Sequence, residues 1–92
     1  MTETEAETVG LTALAWLVGH DELVRVFMGS TGASEQDLRM GAANLEFLGS
    51  VLDFLLLDDA WISAFAAETG IAPEAPLAAR QALPGGNLPQ WT

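Results

Sequence analysis

The only histidine of the chain, His20, is followed directly by Asp21 and Glu22, and Asp58 and Asp59 stand 38 residues further on. A neutral imidazole among carboxylates is a set that holds a hard divalent cation. If the two turns meet, His20, Asp21 and Asp59 are the candidate ligands. However, one His with adjacent carboxylates lacks the i, i+4 spacing of a helical metal site, and an Asp just before a helix is an ordinary cap. The reading is therefore caps, with no metal and no cofactor expected. Nucleophilic catalysis has little to work with: Cys, Lys and Tyr are absent, and Ser30, Ser34, Ser50 and Ser63 share a single His. Among the acids the best candidate for a shifted carboxyl is Asp53, but it lies on a helical stripe with Glu46 and Ser50 rather than in apolar surroundings. Gly85-Gly86 is not preceded by a strand or followed by a Lys, so it is a helix stop and hinge and not a phosphate loop. No catalytic residue is expected.

Trp16, Phe54 and Trp61 fall at helical spacing among Leu and Val, which predicts core packing; the alternative is the lining of an apolar ligand pocket between two halves of a bundle. The closing segment, residues 85–92, carries Leu88 and Trp91 after the Gly-Gly hinge. A bulky aromatic there either folds back on its own domain or anchors a partner, which makes Trp91 and Leu88 the candidate partner contacts.

Thirteen acidic residues face three arginines, Arg25, Arg39 and Arg80, for a net charge of −10. That balance repels phosphate backbones and anionic lipid, so neither nucleic-acid nor membrane binding is expected, whereas a basic protein partner is electrostatically welcome. The longest strongly apolar run, around Phe54–Leu57, is bracketed by Asp53 and Asp58. It is far short of the roughly 20 residues that span a bilayer. With no secretory signal pattern at its start, the chain reads as cytoplasmic.

The elements that must position these residues are all helical. Thr2/Glu5 and Thr4/Glu7 both stand at capping-box spacing, so residues 1–8 are either an acidic tail or the cap of the first helix. Helix one is predicted over about Val9–Val18, broken by Gly19. Asp21 is expected to cap helix two, which turns Leu23, Val24, Phe27 and Met28 inward and stops at Gly32. Ser34 with Asp37 caps a short third helix carrying Leu38 and Met40. Asn44 caps a fourth, Leu45–Leu57, whose single narrow polar stripe marks it as the centre of the bundle. Asp58 or Asp59 caps helix five, with Trp61, Ile62 and Phe65 inward and Gly70 as its stop. Helix six is predicted from Pro73 with Leu77 and Leu83 as its apolar contacts, ended by Pro84-Gly85-Gly86. No segment alternates over the length of a strand.

Residues 13–32 and 51–70 match at six of twenty positions: Leu14/Leu52, Leu17/Leu55, Asp21/Asp59, Phe27/Phe65, Thr31/Thr69 and Gly32/Gly70. After the glycines the match slips by one residue and continues as Ala33/Ala72, Glu35/Glu74 and Leu38/Leu77. An internal duplication of a three-helix unit is the expectation, with halves at about 9–43 and 44–84 in a single domain.

The stretches ALAWLVGHDELVRVFMGSTG and EFLGSVLDFLLLDDAWISAFAAETG, with the closing LPGG and PQWT, resemble a family of small alphaproteobacterial helical proteins, domain of unknown function 3572. The resemblance covers nearly everything after Val9. It implies a bacterial cytosolic protein and carries no activity or site residues. The middle segment, from LVRVF to LLLDD, is similar in helix order and apolar spacing to three-helix ubiquitin-associated-type modules, which bind protein partners; this is fold analogy. The combined expectation is an all-α bundle of five to six short helices acting as a non-enzymatic protein-interaction or adaptor module. A bundle binding a small apolar ligand is the alternative. A homodimer covering exposed apolar faces of helices one and six is a further expectation.

Overall fold

A computed structural model describes residues 1–85, which form six α-helices and no strand: α1 Glu3–Val18, α2 Asp21–Thr31, α3 Glu35–Met40, α4 Leu45–Leu55, α5 Asp59–Thr69 and α6 Ala75–Ala82, with a 3₁₀ turn Gly41–Ala43 leading into α4. The all-α bundle expected from the periodicity is what forms.

Helix α1 starts six residues before the predicted Val9. The Thr2 hydroxyl accepts from the Glu5 N–H at 3.1 Å, and the Glu5 carboxylate accepts from the Thr2 N–H at 2.8 Å. This reciprocal box settles the first eight residues as cap and helix rather than tail. The added turns bury Ala6 and Val9. At the next boundary Asp21 does not cap α2. The N-cap is His20, which makes no side-chain cap bond, and Asp21 is already helical. His20 is spent elsewhere, as described below, so α2 is left with the favourable placement of Asp21 and Glu22 in its first turn. The remaining caps follow the sequence. Ser34 and Asp37 form a box, Asn44 accepts from Glu46 and Phe47, and Asp58 accepts from Ala60.

The core is shared by two helices, not centred on α4 alone. Helix α1 packs on α4 and α6 and also meets α2 and α5, while α4 packs on α6 and the 3₁₀ turn. The crossing of α1 and α4 is close because Gly10 has no side chain: a Cβ there would lie 3.0 Å from that of Leu48. Around it Ala13, Leu14, Leu17, Leu48, Val51, Leu52 and Leu55 are buried. Helix α6 begins at Ala75 rather than Pro73 and keeps Pro76 in its first turn, where a missing N–H costs nothing. It buries Pro76, Ala79 and Leu83, but Leu77, expected inside, is 51% exposed.

Helices α2 and α5 have the same bounds at the 38-residue offset, and both end on a left-handed glycine, Gly32 with φ 77° and Gly70 with φ 78°. Thr31 and Thr69 each donate a hydroxyl hydrogen bond to the carbonyl of Phe27 and Phe65, at 2.7 Å in both cases. Each hydroxyl then accepts the N–H two residues on, at 3.2 Å. The aromatic contacts cross between halves: Trp16 meets Phe65 edge to face at 5.8 Å, and its counterpart Phe54 meets Phe27 in the same manner at 5.3 Å.

Candidate functional site

His20 closes α1 against α5. Its Nδ1 lies 2.6 Å from the Trp16 carbonyl oxygen one turn back, so that nitrogen carries a proton and donates. Its Nε2 lies 3.1 Å from Glu68 Oε1, and the same oxygen accepts from Trp16 Nε1–H at 3.0 Å. The imidazole also tilts over the indole with ring centroids 4.4 Å apart. One carboxylate oxygen thus ties Trp16 and His20 together, and the contact becomes an ion pair whenever both ring nitrogens are protonated. The carboxylate that His20 meets is Glu68, not Asp21 or Asp59. No group of three or more His, Cys, Asp and Glu side chains converges among the described residues. Both imidazole nitrogens are engaged within the protein, so neither is turned toward a substrate. The arrangement is a polar strut holding two helix ends.

Asp53, the sequence's best shifted-carboxylate candidate, is half-exposed and ion-paired. Arg80 Nε donates to Asp53 Oδ1 at 2.6 Å and Nη1 donates to the Pro84 carbonyl at 3.1 Å. The guanidinium lies across Gly49, where a Cβ would come within 2.9 Å of Nη1. This pair clamps α6 to α4 and secures the end of α6.

The predicted apolar pocket between the halves is closed. The space among Ala13, Trp16, Leu17, Val51, Phe54 and Leu55 has no room for a water molecule. Trp61 stacks on Phe54 at 4.6 Å. Trp16 and Phe54 belong to the buried core, and Trp61 packs against it half-buried.

An open groove exists elsewhere, between α2 and α3 at the end of α1, with a volume of about 630 Å³. Its apolar lining is Val18, Val24, Met28 and Leu38. Val24 and Met28 are one helical turn apart, which places them on one face of α2. Charged side chains stand along both walls: Asp21 and Arg25 on α2, Glu35 and Arg39 on α3, each pair at i, i+4. Neither pair closes to ion-pair distance, and among the described residues Arg25 and Arg39 form no salt bridge. Two of the three arginines of a chain with charge −10 are therefore gathered at one apolar groove.

The spacing placed Val24 and Met28 inside and Leu38 on a short third helix, but gave no sign that the gap between α2 and α3 leaves one side of all three open. The i, i+4 pairs Asp21/Arg25 and Glu35/Arg39 were visible signals of a shared charged face. Glu68 was missed because its partners lie far away in sequence. The candidate partner contacts Leu88 and Trp91 lie outside the described residues.

No helix among the described residues is long and apolar enough to cross a membrane. No curated protein and no solved structure matches the chain. The family model described as "Protein of unknown function (DUF3572)" matches residues 3–86, from the first residue of α1 to just beyond the end of α6, and the chain belongs to that family.

Proposed function

We propose that this domain is a non-enzymatic protein-interaction module that engages its partner along the groove between α2 and α3. The observation that carries the reading is the groove itself: about 630 Å³, lined by Val18, Val24, Met28 and Leu38 together with four charged side chains, and open to solvent. A pocket that buries a small ligand encloses most of its surface, whereas an open channel between helices suits a helix or loop of another protein. The surface is otherwise dominated by carboxylates, which disfavours nucleic acid and anionic lipid. The reading is of a cytoplasmic adaptor, with Leu88 and Trp91 as additional candidate contacts.

The test is affinity capture from the source organism with three forms: the full chain, the full chain carrying Leu38→Glu, and a chain ending at Gly86. A protein retained by the first form is then purified and titrated by calorimetry. Binding weakened at least about tenfold by Leu38→Glu is expected for an apolar contact at the base of a groove. Equal binding by the wild-type and Leu38→Glu chains removes the groove as the docking surface, and loss in the shortened chain alone transfers the role to Leu88 and Trp91.

A further inference from the structure

Two copies of a small protein with charge −10 repel each other over most of their surfaces. The groove between α2 and α3 is an exception. Its four charged lining residues, Asp21, Glu35, Arg25 and Arg39, sum to zero. It is also the one place among the described residues where two guanidinium groups stand without a carboxylate in ion-pair range. The two walls repeat one pattern, a carboxylate followed one turn later by an arginine. Such a face is complementary to itself: turned about a twofold axis, the arginines of one copy can meet the carboxylates of the other.

From this charge pattern we infer that the α2–α3 face binds a second copy of the chain, forming an isologous dimer in which Arg25 and Arg39 of each copy pair with Asp21 and Glu35 of the other. The inference rests on the groove being an interaction surface and names the partner as the chain itself. A twofold interface places the same patch on both sides and requires this self-complementarity. Apolar side chains are at hand to supply the driving force: Val18 is half exposed, and Val24, Met28 and Leu38 line the groove with it.

The experiment is a charge swap on the full chain. One variant carries Arg25→Glu and Arg39→Glu, and the other carries Asp21→Arg and Glu35→Arg. Mass is read by light scattering and sedimentation over a wide concentration range, with circular dichroism to confirm that both variants are helical. The wild type is expected at twice the 9.7 kDa chain mass. Each variant is expected at the single-chain mass, and an equimolar mixture is expected to return to the double mass as a one-to-one heterodimer. Leu38→Glu, a separate variant, is expected to be monomeric and not rescued by mixing. A wild type that stays monomeric throughout overturns the inference. So does a dimer that survives both swaps, since it must use another face, and so does a loss that mixing does not restore. None of these results depends on capturing a foreign protein. If capture fails while the swapped pair associates, the module binds only itself; if capture depends on Leu38 while the wild type is monomeric, the groove stands and the second copy does not.

Discussion

Trp16 donates its indole N–H to Glu68 Oε1 over 3.0 Å, and His20 Nε2 lies 3.1 Å from the same oxygen. Removing the acceptor leaves a mostly buried indole N–H to find water. Glu68→Ala is expected to lower stability by about 1 kcal/mol, and Glu68→Gln, which keeps a carbonyl acceptor, by less. Urea unfolding followed by Trp fluorescence checks this. Two variants indistinguishable from wild type would show that the strut has no energetic role.

Phe27 and Phe65 are both fully buried at the points where the helix pairs meet across the core. Truncating either to Ala is expected to cost about 3–5 kcal/mol. A domain of this size holds roughly 5–15 kcal/mol in total, so each variant should melt far below the wild type. A thermal scan in which only one of the two variants is damaged would contradict their equivalent roles.

Gly32 and Gly70 end α2 and α5 in the left-handed region, where a Cβ meets the neighbouring carbonyl. There is open space around both. Their replacement by Ala therefore costs backbone strain alone, about 1 kcal/mol each and nearly the same at both sites. Unequal losses in a denaturant titration would mean that packing contributes at one of them.

Two other glycines separate packing from backbone effects. A Cβ on Gly41 would fall inside the Phe47 ring, so Gly41→Ala is expected to cost about 1–3 kcal/mol through displaced packing. Gly29 lies within α2, and nothing stands within 4 Å of the place a methyl group would take there, so Gly29→Ala is expected to stabilise by about 0.4–1 kcal/mol. Paired melting curves decide it, and a destabilising Gly29→Ala would refute the second estimate.

At the start of α1, the Thr2 backbone N–H, and then its hydroxyl, hold the Glu5 carboxyl below its ordinary value. A carboxyl more acidic in the folded state than in the unfolded one favours folding at neutral pH. That contribution disappears as pH falls through the carboxylate range. The first turn should therefore fray in acid before the core does, and Glu5→Gln should blunt this pH dependence. Temperature coefficients of the Glu5 and Ala6 amide proton shifts, followed by NMR from pH 7 to pH 3, provide the measurement. Coefficients flat across that range would rule the effect out.

Local chemistry was legible in the sequence and distant chemistry was not. The stops at Gly32 and Gly70 and the caps at Ser34, Asn44 and Asp58 depend on neighbours a few residues away, so composition and spacing were enough. The start of α1 was ambiguous because Thr2/Glu5 and Thr4/Glu7 offer the same box, and it is the Thr2/Glu5 box that forms. Asp21 read as a cap because a short acid before an apolar run usually is one; the chain enters the helix one residue sooner, with His20 drawn to Trp16 and Glu68. Leu77 has the spacing of a core residue, yet α6 presents the small faces of Pro76 and Ala79 to the bundle. The groove was hidden for a related reason. Periodicity marks Val24 and Met28 as inward, but it cannot show that the space between α2 and α3 stays open beside them.

The crossed edge-to-face contacts, Trp16 on Phe65 and Phe54 on Phe27, bear on where this molecule can be divided. Each half lends its aromatic to the other, so an excised half would lose the ring it received and leave the ring it gave without a seat. The 3₁₀ turn at Gly41–Ala43 joins two sequence halves without being a border between two folding units.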